Sequence, residues 1–327
     1  MQHIKLLDSD LVLEILNVCE QAAIACFPLK GKGDEQEADK IAVDAMRNVL
    51  NKINVKGKIV IGEGERDQAP MLYIGEIVGC GQHLELDIAV DPLEGTKILA
   101  SGRENAMTVI AVANSGSMLE APDVYMEKIV IGVDFPEQII DLNNSPRVNL
   151  ANIAKAKQML ISDLTVAILD RPRHEELIAR VREVGAKVNL IDDGDIAASI
   201  ITTMPKFNID VYMGTGGAPE GVLAAAALRS LGGQMHTRLL FNTEEEKKHA
   251  ATMGIIDFNK TYNLRELVKG NVIFAATGVT DGKILKGVQL IDSKFITNSI
   301  ITYSSDHSIR RIERIHSFNN TKRISNL

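Results

Sequence analysis

With 327 residues, 45% of them hydrophobic, the chain exceeds a minimal module and has apolar surface for one large α/β domain or two joined halves. A formal charge of −7 argues against a general nucleic-acid binder, whose hold on the phosphate backbone comes from Lys and Arg. A polyanionic substrate would then have to be met by local positive potential: a metal ion, a few focused arginines or a helix N-terminus.

Tryptophan is absent and aromatics make up only 4%, so Ile, Val, Leu and Ala must fill the interior, as in a layered α/β protein. Cys19, Cys26 and Cys80 lack Cys-x-x-Cys spacing and are expected as reduced core residues. There is no signal-peptide succession, and no run is read as reaching the roughly 18 apolar residues of a membrane span. The expected location is the cytoplasm, with no membrane and no nucleic-acid partner.

In chain order, Leu11, Ile15, Val18, Cys19, Ala22, Ala23 and Cys26 recur at helical spacing, with Pro28 near the end. The loop Gly31 to Gly33 and acidic Asp34 to Asp39 lead into a second helix traced by Ile41, Ala42, Ala45, Met46 and Val49, so Asp39 sits near a helix start. Lys58 to Ile61 predicts a strand ending in Gly62-Glu63-Gly64-Glu65, and Leu84 to Val90 another ending at Asp91-Pro92. Ala106 to Ala113 and Lys128 to Val133 are further strands, and Asn143-Asn144-Ser145-Pro146 marks a turn. A boundary near that turn divides the chain into 1–145, a metal-binding half, and 146–327, a substrate-binding half.

Beyond it, strands at 165–169, 187–191 and 209–213 alternate with helices at 175–184, 196–202 and 220–231, which favours a parallel, helix-flanked sheet. A charged helical stretch at 244–249 and a strand at 272–276 precede a β-like segment from Phe295 onward. Its basic residues Arg310, Arg311, Arg314, Lys322 and Arg323 read as a solvated or subunit-facing tail.

The chemistry is written where strands end. In Asp91-Pro92-Leu93-Glu94-Gly95-Thr96, proline is expected to stop the strand, two carboxylates can converge, glycine permits close backbone approach and threonine offers a hydroxyl. Carboxylates held this close repel unless a cation or proton intervenes, and oxygen-only ligands suit Mg²⁺ or Mn²⁺. The turn with Glu63, Glu65 and Asp67 follows another strand, and Gly214-Thr215-Gly216-Gly217-Ala218-Pro219-Glu220-Gly221 opens an Ala-rich helix as an anion cradle that lacks the Gly-Lys-Ser/Thr ending of a P-loop. Arg171-Pro172-Arg173 can grip phosphate, and Asp193-Gly194-Asp195 can hold sugar hydroxyls. Because ligands of open α/β sheets gather beyond the strands' carboxyl ends, these turns are expected to share one crevice. The seven histidines show neither metal-ligand spacing nor a nucleophile motif.

Together with Gly31-Lys32-Gly33-Asp34, Ala38-Asp39 and Ala69-Pro70-Met71-Leu72, these motifs resemble those of the class II fructose-1,6-bisphosphatases, relatives of the lithium-sensitive inositol phosphatases, from about Leu11 to about Ser317. The resemblance implies a layered α-β-α-β-α sugar-phosphatase fold and a Mn²⁺- or Mg²⁺-dependent homo-oligomer, a dimer or tetramer. It implies hydrolysis of the C1 phosphate of fructose 1,6-bisphosphate, a step of gluconeogenesis. Metal ligands are implied at Asp39, Glu63, Asp91, Glu94 and Glu220. Substrate contacts are implied at Glu94, Gly95, Thr96, Tyr125, Arg171, Pro172, Arg173, Asp193, Gly194, Asp195 and Gly217, with Thr96, Asp67 and Glu65 as the catalytic set. One departure stands out: Glu35-Gln36 occupies the place of an expected Lys-Asn. The alternatives are a phosphatase for sedoheptulose bisphosphate or an inositol phosphate, and a non-catalytic sugar-phosphate-binding regulator.

Overall fold

The computed structural model describes residues 9–64 and 70–317. The chain opens with two helices, α1 (Ser9–Cys26) and α2 (Glu35–Leu50), then strands β1 (Lys56–Ile61), β2 (Ile77–Val78) and β3 (Glu85–Glu94). After the short helix α3 (Thr96–Ala100) come β4 (Met107–Asn114), β5 (Tyr125–Ile131) and α4 (Pro146–Lys157). The alternating stretch is β6 (Thr165–Leu169), α5 (Glu175–Glu183), β7 (Lys187–Ile191), α6 (Asp195–Ile201), β8 (Val211–Gly217) and α7 (Ala218–Leu231). It is followed by β9 (Gln234–Leu240), α8 (Glu244–Thr252), β10 (Thr261–Asn263) and α9 (Leu264–Leu267). Four strands close the described chain: β11 (Val272–Gly278), β12 (Gln289–Ile291), β13 (Lys294–Tyr303) and β14 (Ser308–Ser317).

These strands form two sheets. The first runs β12-β13-β11-β4-β3-β1-β2, with β14 on the free side of β13, and the second runs β10-β9-β5-β8-β6-β7. Sheet membership crosses the boundary near residue 145 in both directions, because β5 joins the second sheet and β11 to β14 return to the first. The expected parallel sheet is corrected as well. β6 pairs in parallel with β7 and β8, but β5 pairs antiparallel with β8 and β9, since β5 arrives from the first sheet without a crossover helix.

The layering is α-β-α-β-α. α1 and α2 cover the outer face of the first sheet, α6 and α7 lie between the sheets, and α4 and α5 cover the outer face of the second. The position of α7 explains its composition: an element packed on both sides has no solvent face, and Val222 to Leu228 are buried throughout. α1 corrects the reading that no segment matches a membrane span. Asp10–Leu29 is long and apolar enough to cross one, but more than half of it is buried, with Ile15, Val18, Cys19 and Ala22 fully covered by the first sheet's core. Cys19 and Cys26 are buried, and desolvation pushes the Cys26 thiol up to about 12; Cys80 departs from the expectation and is exposed.

Candidate active site

Asp34 caps α2, its side chain accepting from the Glu37 N–H (3.0 Å). The glycine loop before it docks on α3, with the Gly31 and Gly33 N–H groups donating to Leu99 O and Ala100 O (2.9 Å each). This contact sets Asp39, one turn into α2, beside the end of β3. Pro92 does not stop that strand: β3 runs to Glu94, and the register with β4 slips between Asp91 and Glu94. The irregularity absorbs the missing proline N–H and turns both carboxylates toward one side. Gly95 follows at φ 86°, a left-handed conformation suited to glycine, and caps α3.

Beyond these strand ends lies an acidic cleft of about 480 Å³. It is lined by all five expected metal ligands, Asp39, Glu63, Asp91, Glu94 and Glu220, together with Gly95, Thr96, Arg171, Asp193 and Asp195. Five expected contacts line no part of it: Tyr125, Pro172, Arg173, Gly194, which lines a separate pocket, and Gly217. Arg173 packs over the Tyr125 ring at 4.9 Å, donates to Thr215 O (2.8 and 3.0 Å) and lines a neighbouring groove. Gly217 lines no part of the cleft surface, but a Cβ there would stand 2.0 Å from Glu220 Oε2, so its bareness leaves room for that carboxylate. Glu65 and Asp67 lie outside the described residues.

Unneutralised carboxylates dominate the cleft's electrostatics. Desolvation, then the charge of Asp39 and its hydrogen bond, push Glu63 up to about 8; burial and Asp195 push Glu220 up to about 6. Asp91 is held well above the ordinary carboxylate range by burial, Glu220 and Glu63, and Glu94 by burial, Asp91 and Asp195. Glu94 Oε1 accepts from the Ile196 N–H (3.1 Å), whereas Glu94 Oε2 and Glu220 Oε2 are buried without a partner.

Among the described residues no three His, Cys, Asp or Glu side chains form a ready-made metal chelate. The residues nevertheless fit a hard divalent cation. The donors are all oxygen, two carboxylate oxygens have unused lone pairs, and ions of the Mg²⁺ type complete their shell with water and substrate phosphate.

This state has a pH signature. A group whose folded pKa is raised binds more protons folded than unfolded, so stability falls as pH rises between the two values, for Glu63 from 4.5 to about 8. In chelator the thermal midpoint should be lower at pH 8 than near pH 5.5, and Mn²⁺ should narrow the gap. A midpoint in chelator that climbs steadily across that window would contradict the crowded-acid description.

Sequence reasoning missed Lys128. It is 1% exposed on β5, and its ammonium donates to Asp195 Oδ2 (2.5 Å) and Gly217 O (2.7 Å), tying α6 to the N-terminus of α7. The signal was a lysine, after Glu127, at the head of the apolar run Ile129-Val130-Ile131. Lys97, Asp123 and Glu35 also line the cleft; Glu35 places negative charge at the mouth where a cation was expected. His174 is a brace: its Nε2 accepts from the Thr215 N–H (2.8 Å), which leaves Nδ1 to donate to Leu169 O (2.7 Å).

Residues 9–316 match the family model described as bacterial fructose-1,6-bisphosphatase, glpX-encoded. A protein of Escherichia coli strain K12 named fructose-1,6-bisphosphatase 1 class 2 is 44% identical over 94% of this chain and 95% of its own length. One of Trichodesmium erythraeum named D-fructose 1,6-bisphosphatase class 2/sedoheptulose 1,7-bisphosphatase is 42% identical over 97% of this chain and 99% of its own. Solved structures are more distant: the extragenic suppressor protein SuhB of Bartonella henselae gives a TM-score of 0.35 at 13% identity, covering 60% of this chain and 74% of its own. An inositol monophosphatase from Anabaena gives 0.33 at 11%, covering 59% and 69%.

Proposed function

Because the chain belongs to the glpX-encoded bacterial fructose-1,6-bisphosphatase family, we propose that the acidic cleft is where it does that family's chemistry, with Asp39, Glu63, Asp91, Glu94 and Glu220 holding the cation. The chain is a class II fructose-1,6-bisphosphatase. It hydrolyses fructose 1,6-bisphosphate to fructose 6-phosphate and inorganic phosphate, and the reaction takes a divalent cation. Mn²⁺ or Mg²⁺ is our choice of ion, and the cytoplasm, where this phosphorylated substrate and a helix α1 turned into the core are at home, is our choice of location.

When bound, the cation supplies positive charge to the phosphoryl oxygens and acidifies the attacking water. Thr96 orients that water. Its hydroxyl proton is committed to Leu93 O (3.0 Å), so the side of Oγ1 facing the cleft accepts a hydrogen bond from the water and turns a water lone pair toward phosphorus. The N–H groups of the first turn of α3 have no intrahelical partner and hold the transferred phosphate. Arg171, 3.7 Å from Asp193, meets the distal phosphate from the opposite wall. Arg173, engaged by Tyr125 and Thr215, reaches it only from the adjoining groove. The observation that carries this reading is the convergence of five unneutralised acids on the Thr96 turn.

Inorganic phosphate release from fructose 1,6-bisphosphate, measured with Mn²⁺, with Mg²⁺ and with chelator, tests it; release should need the ion, and silence of folded protein under all three conditions would sink the assignment. The Trichodesmium relative's name favours sedoheptulose 1,7-bisphosphate as a second substrate, to be assayed in parallel. Thr96→Ala should lower kcat about 10²-fold with the half-saturating Mn²⁺ concentration unchanged; near-normal turnover would remove Thr96 from the mechanism.

A homo-oligomer completes our reading. Among the described residues β14 pairs only with β13, leaving ten residues of open edge. A second β14 laid antiparallel about Ile312 sets Arg311 opposite Glu313 and Ile309 opposite Ile315, twice each by symmetry. A shift of two residues either way opposes Arg311 to itself or Glu313 to itself. Arg314, opposite Arg310 on the other face, is already neutralised by Glu20 (2.7 Å). Glu313→Arg should shift the sedimentation equilibrium toward monomer; an unchanged mass would move the interface elsewhere.

A further inference from the structure

The helix that carries Glu220 at its start ends in a second, separate cavity. Glu220 and Arg229 are nine residues apart on α7, about 14 Å along the axis. Around Arg229 the end of α7, β9 and α9 border an open pocket of about 490 Å³, and none of the residues lining this space lines the acidic cleft.

Its charge is the reverse of the cleft's. Arg229, Arg265, His236 and His307 face it, against the single carboxylate Glu137, and among the described residues no ion pair links Glu137 to either arginine. Arg229 donates through Nη2 to Gly270 O (3.1 Å), but its Nε is buried without an acceptor, as is His236 Nδ1. The carbonyls at the C-terminus of α7 account for one cation at Arg229. They do not account for Arg265 across from it, nor for the orphaned Nε–H, whose desolvation is uncompensated.

We propose that this cavity binds the phosphate group of a small phosphorylated metabolite and thereby acts on the reaction through α7. Two guanidiniums offer the planar, forked donors that phosphate matches, and a bound dianion supplies the acceptors that Arg229 Nε lacks. It also relieves the repulsion that, after desolvation, lowers the Arg229 pKa. The volume exceeds what bare phosphate needs and suits a metabolite-sized body. No cluster of acids accompanies the arginines, so the site binds without hydrolysing.

The test is calorimetric titration of the full chain, in chelator, with inorganic phosphate and with ribose 5-phosphate, followed by assays in Mn²⁺. Saturable binding should weaken at least about tenfold in Arg265→Glu, an exposed position where the fold tolerates exchange, and also in Arg229→Gln, but not in Arg171→Ala. In the wild type, ribose 5-phosphate should shift the half-saturating Mn²⁺ concentration at least twofold, and Arg265→Glu should abolish the shift. Absence of binding by both probes, or binding lost in Arg171→Ala and kept in Arg265→Glu, overturns the site. Binding without any shift in Mn²⁺ dependence overturns its action through α7.

Discussion

Asp91→Asn is expected to lower kcat by about 10²–10³-fold and, at the same time, to raise the thermal midpoint in chelator. The amide keeps the shape of the side chain and can still accept from the Leu93 N–H, which lies 3.1 Å from Asp91 Oδ1. What it removes is one negative charge from a cleft where burial, Glu220 and Glu63 already push the Asp91 carboxyl well above its usual range. In the absence of a cation that charge is a liability, and losing it relieves repulsion; in its presence the same charge is a ligand, and losing it costs the reaction. The opposite signs distinguish a functional acid from a structural one. If activity and midpoint fell together, Asp91 would be holding the turn rather than the ion, and if activity survived, the cation would have to sit elsewhere in the cleft.

Lys128→Met should destabilise the chain by about 3–5 kcal/mol, because it leaves Asp195 buried without its cation beside Glu94. At roughly 2 °C per kcal/mol for a large domain, the midpoint should fall by about 6–10 °C. Methionine fills most of the lysine's volume, and the Lys128 stem packs beside Gly221, so the loss is assigned to charge rather than to a void. The double variant Lys128→Met with Asp195→Asn should recover most of the loss in thermal melts. A single variant as stable as the parent would mean that water reaches Asp195, and a double variant no better than the single would move the effect to the bond with Gly217 O.

Much of the candidate site is legible in the order of the residues. Carboxylates placed just after apolar runs must emerge at strand ends, and strand ends are where an α/β protein keeps its ligands. Hence Asp91, Glu94 and Glu63 could be grouped, and Glu220 added from the proline and glycines that open its helix. Helical periodicity placed Asp39 only near a helix start, and its membership of the ligand set rested on the family resemblance. The strand through Pro92 was misjudged because a proline's missing N–H forbids regular pairing, and only the partner strand β4 reveals that a register slip accommodates it. Lys128 was passed over because a lysine on a strand is usually a solvated one, and nothing local says that Asp195, 67 residues onward, will fold over it.

The sequence by itself determined the elements, the acidic turns and the chemistry that such turns can do, because helix period, strand alternation and turn residues are properties of short windows. Only the tertiary structure decided which turns share a cleft, that Arg171 faces it while Arg173 lies in the next groove, and that β5 and β11 exchange sheets. It also decided that α7 links the acidic cleft to a basic cavity at its other end. Those facts depend on contacts between residues far apart in the chain, and on burial from both sides of an alanine-rich helix whose own composition does not say what stands at either end.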